Sequence, residues 1–342
     1  MRLIENEGIT IIAEIAQSYE GDFNILKKII RKLLKTKVNG IMFQVIYADE
    51  IALPENNNYN FFKKLEFKKE QWYKIINLIH ENKKLAIGEC FGINSARMLY
   101  SLGIDAFKIH PADLSNIPFL QYLSKIDIPL LVGVGAAFEN EIEIALNELN
   151  IHNKKEIILM HGYQLCPTEI KDSHLMKIKA LSKRFSLPVG YSDHVAGYIA
   201  NNYSIKNEAA NILPLLSIAV GASVIEKHVM LDRSKAWEDH ESALTPEELD
   251  EFIKLVNVYI LSLGTEDYSI NEAEFIYRGT SRKYIVSNKN LEKGHVITLN
   301  DISFKRIGNP QDGIINSSEV IGKEIINSIC YNEPIFKNNL KG

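Results

Sequence analysis

Cysteine is scarce and scattered, with only Cys90, Cys166 and Cys330 in 342 residues. An odd number so widely spaced argues against a disulfide framework or a thiolate metal site and suits reduced, buried thiols in a cytoplasmic protein. Charge of one sign is also lacking. A formal net charge of −4, from 39 basic and 43 acidic residues, leaves no basic footprint for nucleic acid. Long hydrophobic runs are missing as well: the stretch 212–225 is interrupted by Pro214 and Gly221 and stops at Glu226, and no signal-like run is complete before Glu14. Neither membrane insertion nor export is expected. A small-molecule partner is the class that survives.

What is present is a rhythm. The length allows one large domain and a smaller module. Eight short β-branched runs, at 9–16, 40–45, 85–90, 106–110, 129–135, 156–161, 187–194 and 223–229, alternate with segments that are apolar at helical spacing. Eight βα repeats predict an α/β fold of the closed (β/α)₈ TIM-barrel type over 1–264. Asp22, Asn94, Asn116 and Asp172 each precede a periodic segment as candidate caps, and Thr245-Pro246-Glu247-Glu248 combines an N-cap, a proline at N1 and a capping-box acid. An open doubly wound sheet is the alternative, but its glycine-rich nucleotide fingerprint is missing from the first βα turn, Ala16-Gln17-Ser18-Tyr19. Beyond Gly264 a polar connector at 265–281 leads to strand-like pieces at 284–287, 295–297 and 302–307 and a helical turn at 317–320. These predict a small, mostly-β domain over 282–342.

Chemistry-bearing residues stand at the C-terminal ends of the predicted barrel strands: Glu14, Gln44, Glu89, Lys108, His161, His194 and Glu226-Lys227-His228. Barrel active sites are built on that rim, so such groups converge on one pocket. His194 and His228 end consecutive strands, which lie about 4.8 Å apart. Two imidazoles so placed can share a divalent ion and leave positions open for water and substrate.

Ala13-Glu14-Ile15 with Gly21-Asp22, Gly190-Tyr191-Ser192-Asp193-His194, Ile225-Glu226-Lys227-His228, Leu231-Asp232-Arg233 and Asp239-His240 follow one another in an order and spacing that resemble the sialic acid synthase family. The tail resembles that family's antifreeze-like (SAF, β-clip) domain through Ile285-Val286-Ser287, Lys293-Gly294, Lys305-Arg306 and Glu333-Pro334. The resemblance implies a synthase that condenses phosphoenolpyruvate with an open-chain N-acyl amino sugar, releases phosphate and makes a nonulosonic acid. It implies that His194 and His228 hold a divalent metal, manganese or magnesium, that polarises the sugar aldehyde. Glu14 would hydrogen-bond near the metal-bound water, Asp239 would bind the sugar, and Lys108 and Ser192 would bind the phosphate side of phosphoenolpyruvate. The partner subunit's Arg306 would bind the sugar's acyl group, which makes the expected assembly a domain-swapped homodimer.

The pocket departs from that family. Met42-Phe43-Gln44 replaces Lys-Phe-Gln, whose lysine takes the phosphoenolpyruvate carboxylate, and Glu89 stands in place of a hydroxyl donor. Lys108-Ile109-His110-Pro111-Ala112-Asp113 has lost a serine, Gly133 replaces another, and Gln164 and Cys166 alter the sixth strand's exit. A lost charge-assisted hydrogen bond costs about 1.5–3 kcal/mol, and a carboxylate roughly 5 Å from the ligand's adds around 3 kcal/mol of repulsion. Either Glu89 is paired or protonated, or His110 and His161 supply replacement positive charge. Gln44, Glu89, His110, Asp113, His161 and Gln164 are therefore the candidate substrate-binding residues whose roles the altered pattern leaves open. Three readings follow: the synthase itself, a metal-dependent barrel aldolase or lyase that does not use phosphoenolpyruvate, and a non-catalytic binding paralogue.

Overall fold

Each strand run carries two apolar faces, which suits a ring with side chains packed both inside and out. The computed structural model describes residues 3, 8–150, 156–163, 168–195, 209–308 and 312–341. Its eight parallel strands close in chain order: β1 (Thr10–Glu14), β2 (Gly40–Val45), β3 (Leu85–Cys90), β4 (Ala106–Ile109), β5 (Leu130–Gly133), β6 (Ile157–His161), β7 (Val189–Asp193) and β8 (Ala222–His228). Every strand matches its predicted run to within two residues at either end. Alternation then sorts the side chains. Ile12, Met42, Ile87, Leu131, Ile158, Met160 and Val224 form one apolar plug with Leu3, while Ile11, Phe43, Phe107, Val132, Leu159 and Tyr191 pack outward.

The outer layer is α1 (Phe23–Leu33), α2 (Ala48–Ile51), α3 (Tyr59–Leu65), α4 (Lys69–Glu81), α5 (Ile93–Ser101), α6 (Ile117–Ser124), α7 (Glu139–Glu148), α8 (Met176–Phe185), α9 (Ala209–Ala219) and α10 (Pro246–Tyr259). Helix α1 shows why these segments fold. Asp22 accepts from Asn24 N and Ile25 N, Leu26, Ile29, Ile30 and Leu33 share the buried face, and Arg31 and Lys32 sit in the last turn. Burying each of those side chains contributes about 1.5–3 kcal/mol, and Asp22→Ala would remove about 1 kcal/mol of cap. Asn116 and Thr245 also cap as expected.

Two caps differ from expectation. Asn94 lies inside α5, whose first turn instead donates Asn94 N and Ser95 N to the Glu50 carboxylate at 2.6 and 3.1 Å. Asp172 ends a 3₁₀ turn, Ile170–Asp172, and α8 begins at Met176 without a side-chain cap. The short helices α2 and α3 were not anticipated. Both start without a side-chain cap bond, so the sequence carries little signal for them.

The chain divides into two compact units, Met1–Gly264 and Thr265–Gly342. In the second, β9 (Tyr284–Ser287) pairs antiparallel with β10 (Ile302–Lys305). Its core is Ile285, Leu291, Ile297, Ile302, Ile314, Val320, Ile325, Ile329 and Ile335. The segment 295–297, expected as a strand, contributes only an isolated bridge, Val296 to Glu324. The expected polar connector holds a helix, α11 (Glu272–Ser281), opened by a reciprocal capping box between Asn271 and Glu274.

Candidate active site

Above the apolar plug the inward positions turn polar. Gln44, Glu89 and Lys108 are successive register partners on β2, β3 and β4, Ser192 faces Glu226 across β7 and β8, and Glu14 faces His228 across β1 and β8. Lys108 Nζ lies 2.7 Å from Glu226 Oε1 and 3.5 Å from Glu89 Oε1. Gln44 Nε2 donates to Glu89 Oε2 at 2.8 Å, and Gln17 Nε2 donates to Gln44 Oε1 at 3.2 Å. Ala16 N donates to Glu14 Oε1 at 2.5 Å. Glu89 is therefore paired, through Lys108 and Gln44. Glu226, which sequence reasoning noticed only as part of a rim motif, is the nearer partner of Lys108; its spacing of two from His228 was the available signal.

The electrostatics follow from enclosure. Burial, then the charges of Glu89 and Glu226, push the Glu14 carboxyl well above the usual range against the pull of Lys108. Burial opposes the Lys108 ammonium, yet Glu226, Glu89 and Glu14 together hold it well above the usual lysine value. Burial likewise opposes the Glu226 carboxylate, which Lys108 and the two histidines hold below its ordinary value. Three oxygens in this layer, Glu14 Oε2, Glu89 Oε1 and Glu226 Oε2, are buried without a hydrogen-bond partner.

His194 and His228 meet across the β7–β8 exit with ring centroids 4.8 Å apart. His194 Nδ1 is bonded to Ser192 O at 3.2 Å, which leaves Nε2 available, and His228 Nδ1 is buried with no hydrogen-bond partner. Burial and the neighbouring His228 push His194 down to about 4, so it stays a neutral imidazole at physiological pH. Asp239 Oδ2 lies 3.8 Å from His228 Nε2, on a residue in the left-handed region at φ 61° that aspartate tolerates better than most side chains. Among the described residues no three His, Cys, Asp or Glu side chains gather closely enough to cage an ion.

The residues between the motif positions face outward and lock the barrel. Lys227 Nζ donates to Asp193 Oδ2 at 2.5 Å and to Ala210 O at 3.1 Å, over the Phe252 ring at 5.9 Å. Both charged side chains are fully buried. His161 shares this outward orientation. Ile157 and Leu159 belong to the outer cluster and Ile158 and Met160 to the inner one, so alternation turns His161 away from the lumen. Its Nε2 bonds Ser173 O at 3.0 Å, and it lines a cavity of about 430 Å³ with Ile142, Lys177, Leu181 and Phe185. Burial pushes it below the usual imidazole range. It supplies no positive charge to the lumen.

The other expected residues divide. His110 stands at the exit of β4 beside the Phe91 ring, and its Nδ1 accepts from Ala112 N at 3.2 Å. Asp113 is held by Asn116 at 2.9 Å, and burial raises its carboxyl. Two departures explain each other: a Cβ on Gly133 would stand 2.6 Å from Pro111 Cδ. Met42 belongs to the apolar plug with no exposed surface. Gln164 and Cys166 lie outside the described residues. Arg306 follows β10 in the second unit, exposed, with Nε donating to Ser281 O at 3.1 Å.

The NeuB family model matches residues 30–268 and the SAF domain model residues 282–341. An uncharacterized protein of Methanocaldococcus jannaschii is 30% identical over 89% of this chain and 86% of its own length. The N,N'-diacetyllegionaminic acid synthase of Legionella pneumophila is 26% identical over 92% of this chain and 90% of its own. A crystal structure of N-acetylneuraminic acid synthetase from Leptospira borgpetersenii, in complex with citrate, superposes with a TM-score of 0.72 at 26% identity. It covers 81% of this chain and 93% of that one. The chain belongs to the NeuB family and carries the SAF domain at its C-terminal end.

Proposed function

We propose that this chain is a nonulosonic acid synthase, condensing phosphoenolpyruvate with an N-acyl amino sugar and releasing phosphate. The observation that carries the reading is the convergence of the Lys108–Glu226 ion pair and the His194–His228 pair in one barrel lumen. The N,N'-diacetyllegionaminic acid and N-acetylneuraminic acid synthases among its relatives support the class of product. Lys108 and Ser192 would bind the phosphate side of the donor, and Asp239 would orient a sugar hydroxyl beside His228. Glu14, whose carboxyl burial raises well above its usual range, faces the same lumen from β1 beside His228.

A divalent metal, manganese or magnesium, fits these residues. The two imidazole rings stand 4.8 Å apart, His194 is held neutral, and His228 Nδ1 is a buried orphan, a nitrogen donor set that suits such an ion with water and substrate filling its remaining positions. When bound there, the ion supplies Lewis-acid polarisation of the acceptor's carbonyl. A swapped homodimer would deliver the partner subunit's Arg306 to the acyl group. The test is phosphate release from phosphoenolpyruvate against a panel of N-acyl hexosamines and 6-deoxy diamino sugars, with the product weighed by mass spectrometry.

One observation favours a second reading. Met42 is sealed into the apolar plug and Glu89 shares Lys108, so no free cation waits on β2 or β3 for a donor's carboxylate. A metal-dependent aldolase or lyase whose donor lacks that carboxylate also fits. A Schiff-base mechanism does not, because Lys108 is held charged.

A further inference from the structure

On β4, Phe107 and Ile109 pack into the outer cluster and Ala106 into the plug, so Lys108 and, two residues on, His110 share the lumen face. His110 is extended, at φ −66° and ψ 144°, and continues the alternation of the strand. Pro111 accounts for that conformation, because a proline disfavours the helical region for the residue before it. The proline ring also fills the space that a Cβ on Gly133 would take, 2.6 Å from Pro111 Cδ. The exit of β4 is thus braced against β5 where His110 leaves it.

The ring of His110 is fixed on one side and open on the other. Nδ1 accepts from Ala112 N at 3.2 Å, and the Phe91 ring stands 5.6 Å away, centroid to centroid. Among the described residues no hydrogen bond or ion pair engages Nε2, and the residue keeps part of its surface accessible. The nearby carboxyls are held by others. Glu89 is paired with Gln44 and Lys108, and Asp113, whose carboxyl burial raises, is bonded by Asn116 at 2.9 Å. β4 stands three strands from β7 and four from β8 in the closed ring, so His110 faces the lumen from the wall opposite the histidine pair. A divalent ion at those histidines leaves Nε2 of His110 to another ligand.

Lys108 lies two positions below His110 on the same face, about 6–7 Å along the strand. Met42 is sealed into the plug, so β2 offers an anion no charge at this level. We propose that His110, through Nε2, binds the carboxylate of an anionic donor whose phosphate lies towards Lys108. The ligand class is a small phosphorylated carboxylic acid. Naming that acid as phosphoenolpyruvate rests on the synthase reading, but binding at His110 does not require turnover.

Two readouts keep the failures apart. Calorimetry on the manganese-loaded full chain, without acceptor, uses phosphoenolpyruvate and inorganic phosphate as probes. His110→Ala should weaken phosphoenolpyruvate binding about ten- to a hundredfold, the range of one hydrogen bond to a charged group. Its affinity for inorganic phosphate, its manganese content and its circular dichroism spectrum should stay those of the wild type. His110→Gln, which keeps an amide donor near the place of Nε2, should recover part of the loss. Unchanged phosphoenolpyruvate affinity in His110→Ala, an equal loss for both probes, or no wild-type binding of phosphoenolpyruvate would each overturn the proposal. Turnover is the second readout, in which His110→Ala should raise the KM for phosphoenolpyruvate by more than it lowers kcat. Phosphate release by the wild type with an unaltered KM in His110→Ala would preserve the synthase reading and sink the role of His110. Binding that depends on His110, without phosphate release from any acceptor, would do the reverse.

Discussion

Replacing Lys227 with methionine strands the Asp193 carboxylate inside the protein. The two groups are 2.5 Å apart with neither side chain exposed, an attraction of about 6–7 kcal/mol at an effective dielectric near 20. Desolvation of both partners offsets part of this, so breaking the pair from one side should cost about 3–5 kcal/mol. For a barrel of this size that is a fall of about 6–20 °C in Tm. The double variant Lys227→Met with Asp193→Asn removes the stranded charge and keeps an acceptor for Tyr191 Oη and Val195 N, which bond Asp193 at 3.2 and 3.1 Å. It should recover at least half of the loss. Urea unfolding followed by circular dichroism supplies the four corners of the cycle. A single variant within about 1 kcal/mol of wild type, or strictly additive effects in the double, would refute the buried clamp.

Three further outcomes are expected. Wild type should bind one equivalent of manganese by elemental analysis, and His194→Ala or His228→Ala should each lose it; equal, stoichiometric metal in His228→Ala would remove that residue from the site. In the second unit, burial opposes the Asp301 carboxylate, but Lys289, His295 and Thr298 hold it far below the usual range. Its stabilisation is therefore complete above the unfolded value near 4 and drains away as pH falls towards the depressed folded value. Hydrogen exchange in Tyr284–Ser287 should accelerate from pH 4 to 2 in wild type; Asp301→Asn should exchange faster at pH 7 and show less of that acid dependence, and identical pH profiles would contradict this. Light scattering at micromolar concentration should give twice the chain mass if the swapped dimer forms, and a monomer would rule out delivery of Arg306 by a partner.

The barrel was legible because each strand run is both short and apolar on two faces, a pattern that few folds other than a ring between helices can bury. Lys108, Glu14, His194 and His228 were legible as rim residues because they stand at the exits of strand runs: Glu14 and His228 end β1 and β8, Lys108 is next to last in β4, and His194 follows β7. What the sequence hid was parity. His161 ends its strand as visibly as His228 does, yet the alternation from Ile157 to His161 turns it outward, and counting in twos from Met160 would have shown this. The same alternation makes Asp193 and Lys227 a clamp rather than part of the pocket. The pairing of Glu89 with Lys108 and Gln44 depends on register between neighbouring strands, which no single run encodes. Helix α11 did announce itself through Asn271 and Glu274, but a polar surrounding masked the capping box.

The central claim is that the lumen joins a phosphoenolpyruvate-derived unit to an amino sugar, and coupled phosphate release with product mass tests it most directly. With manganese, phosphoenolpyruvate and the right acceptor, the account expects one phosphate per product. The product should weigh the acceptor plus pyruvate, and both signals should disappear in His228→Ala. No phosphate from any acceptor in the panel, by a folded and metal-loaded protein, would contradict it.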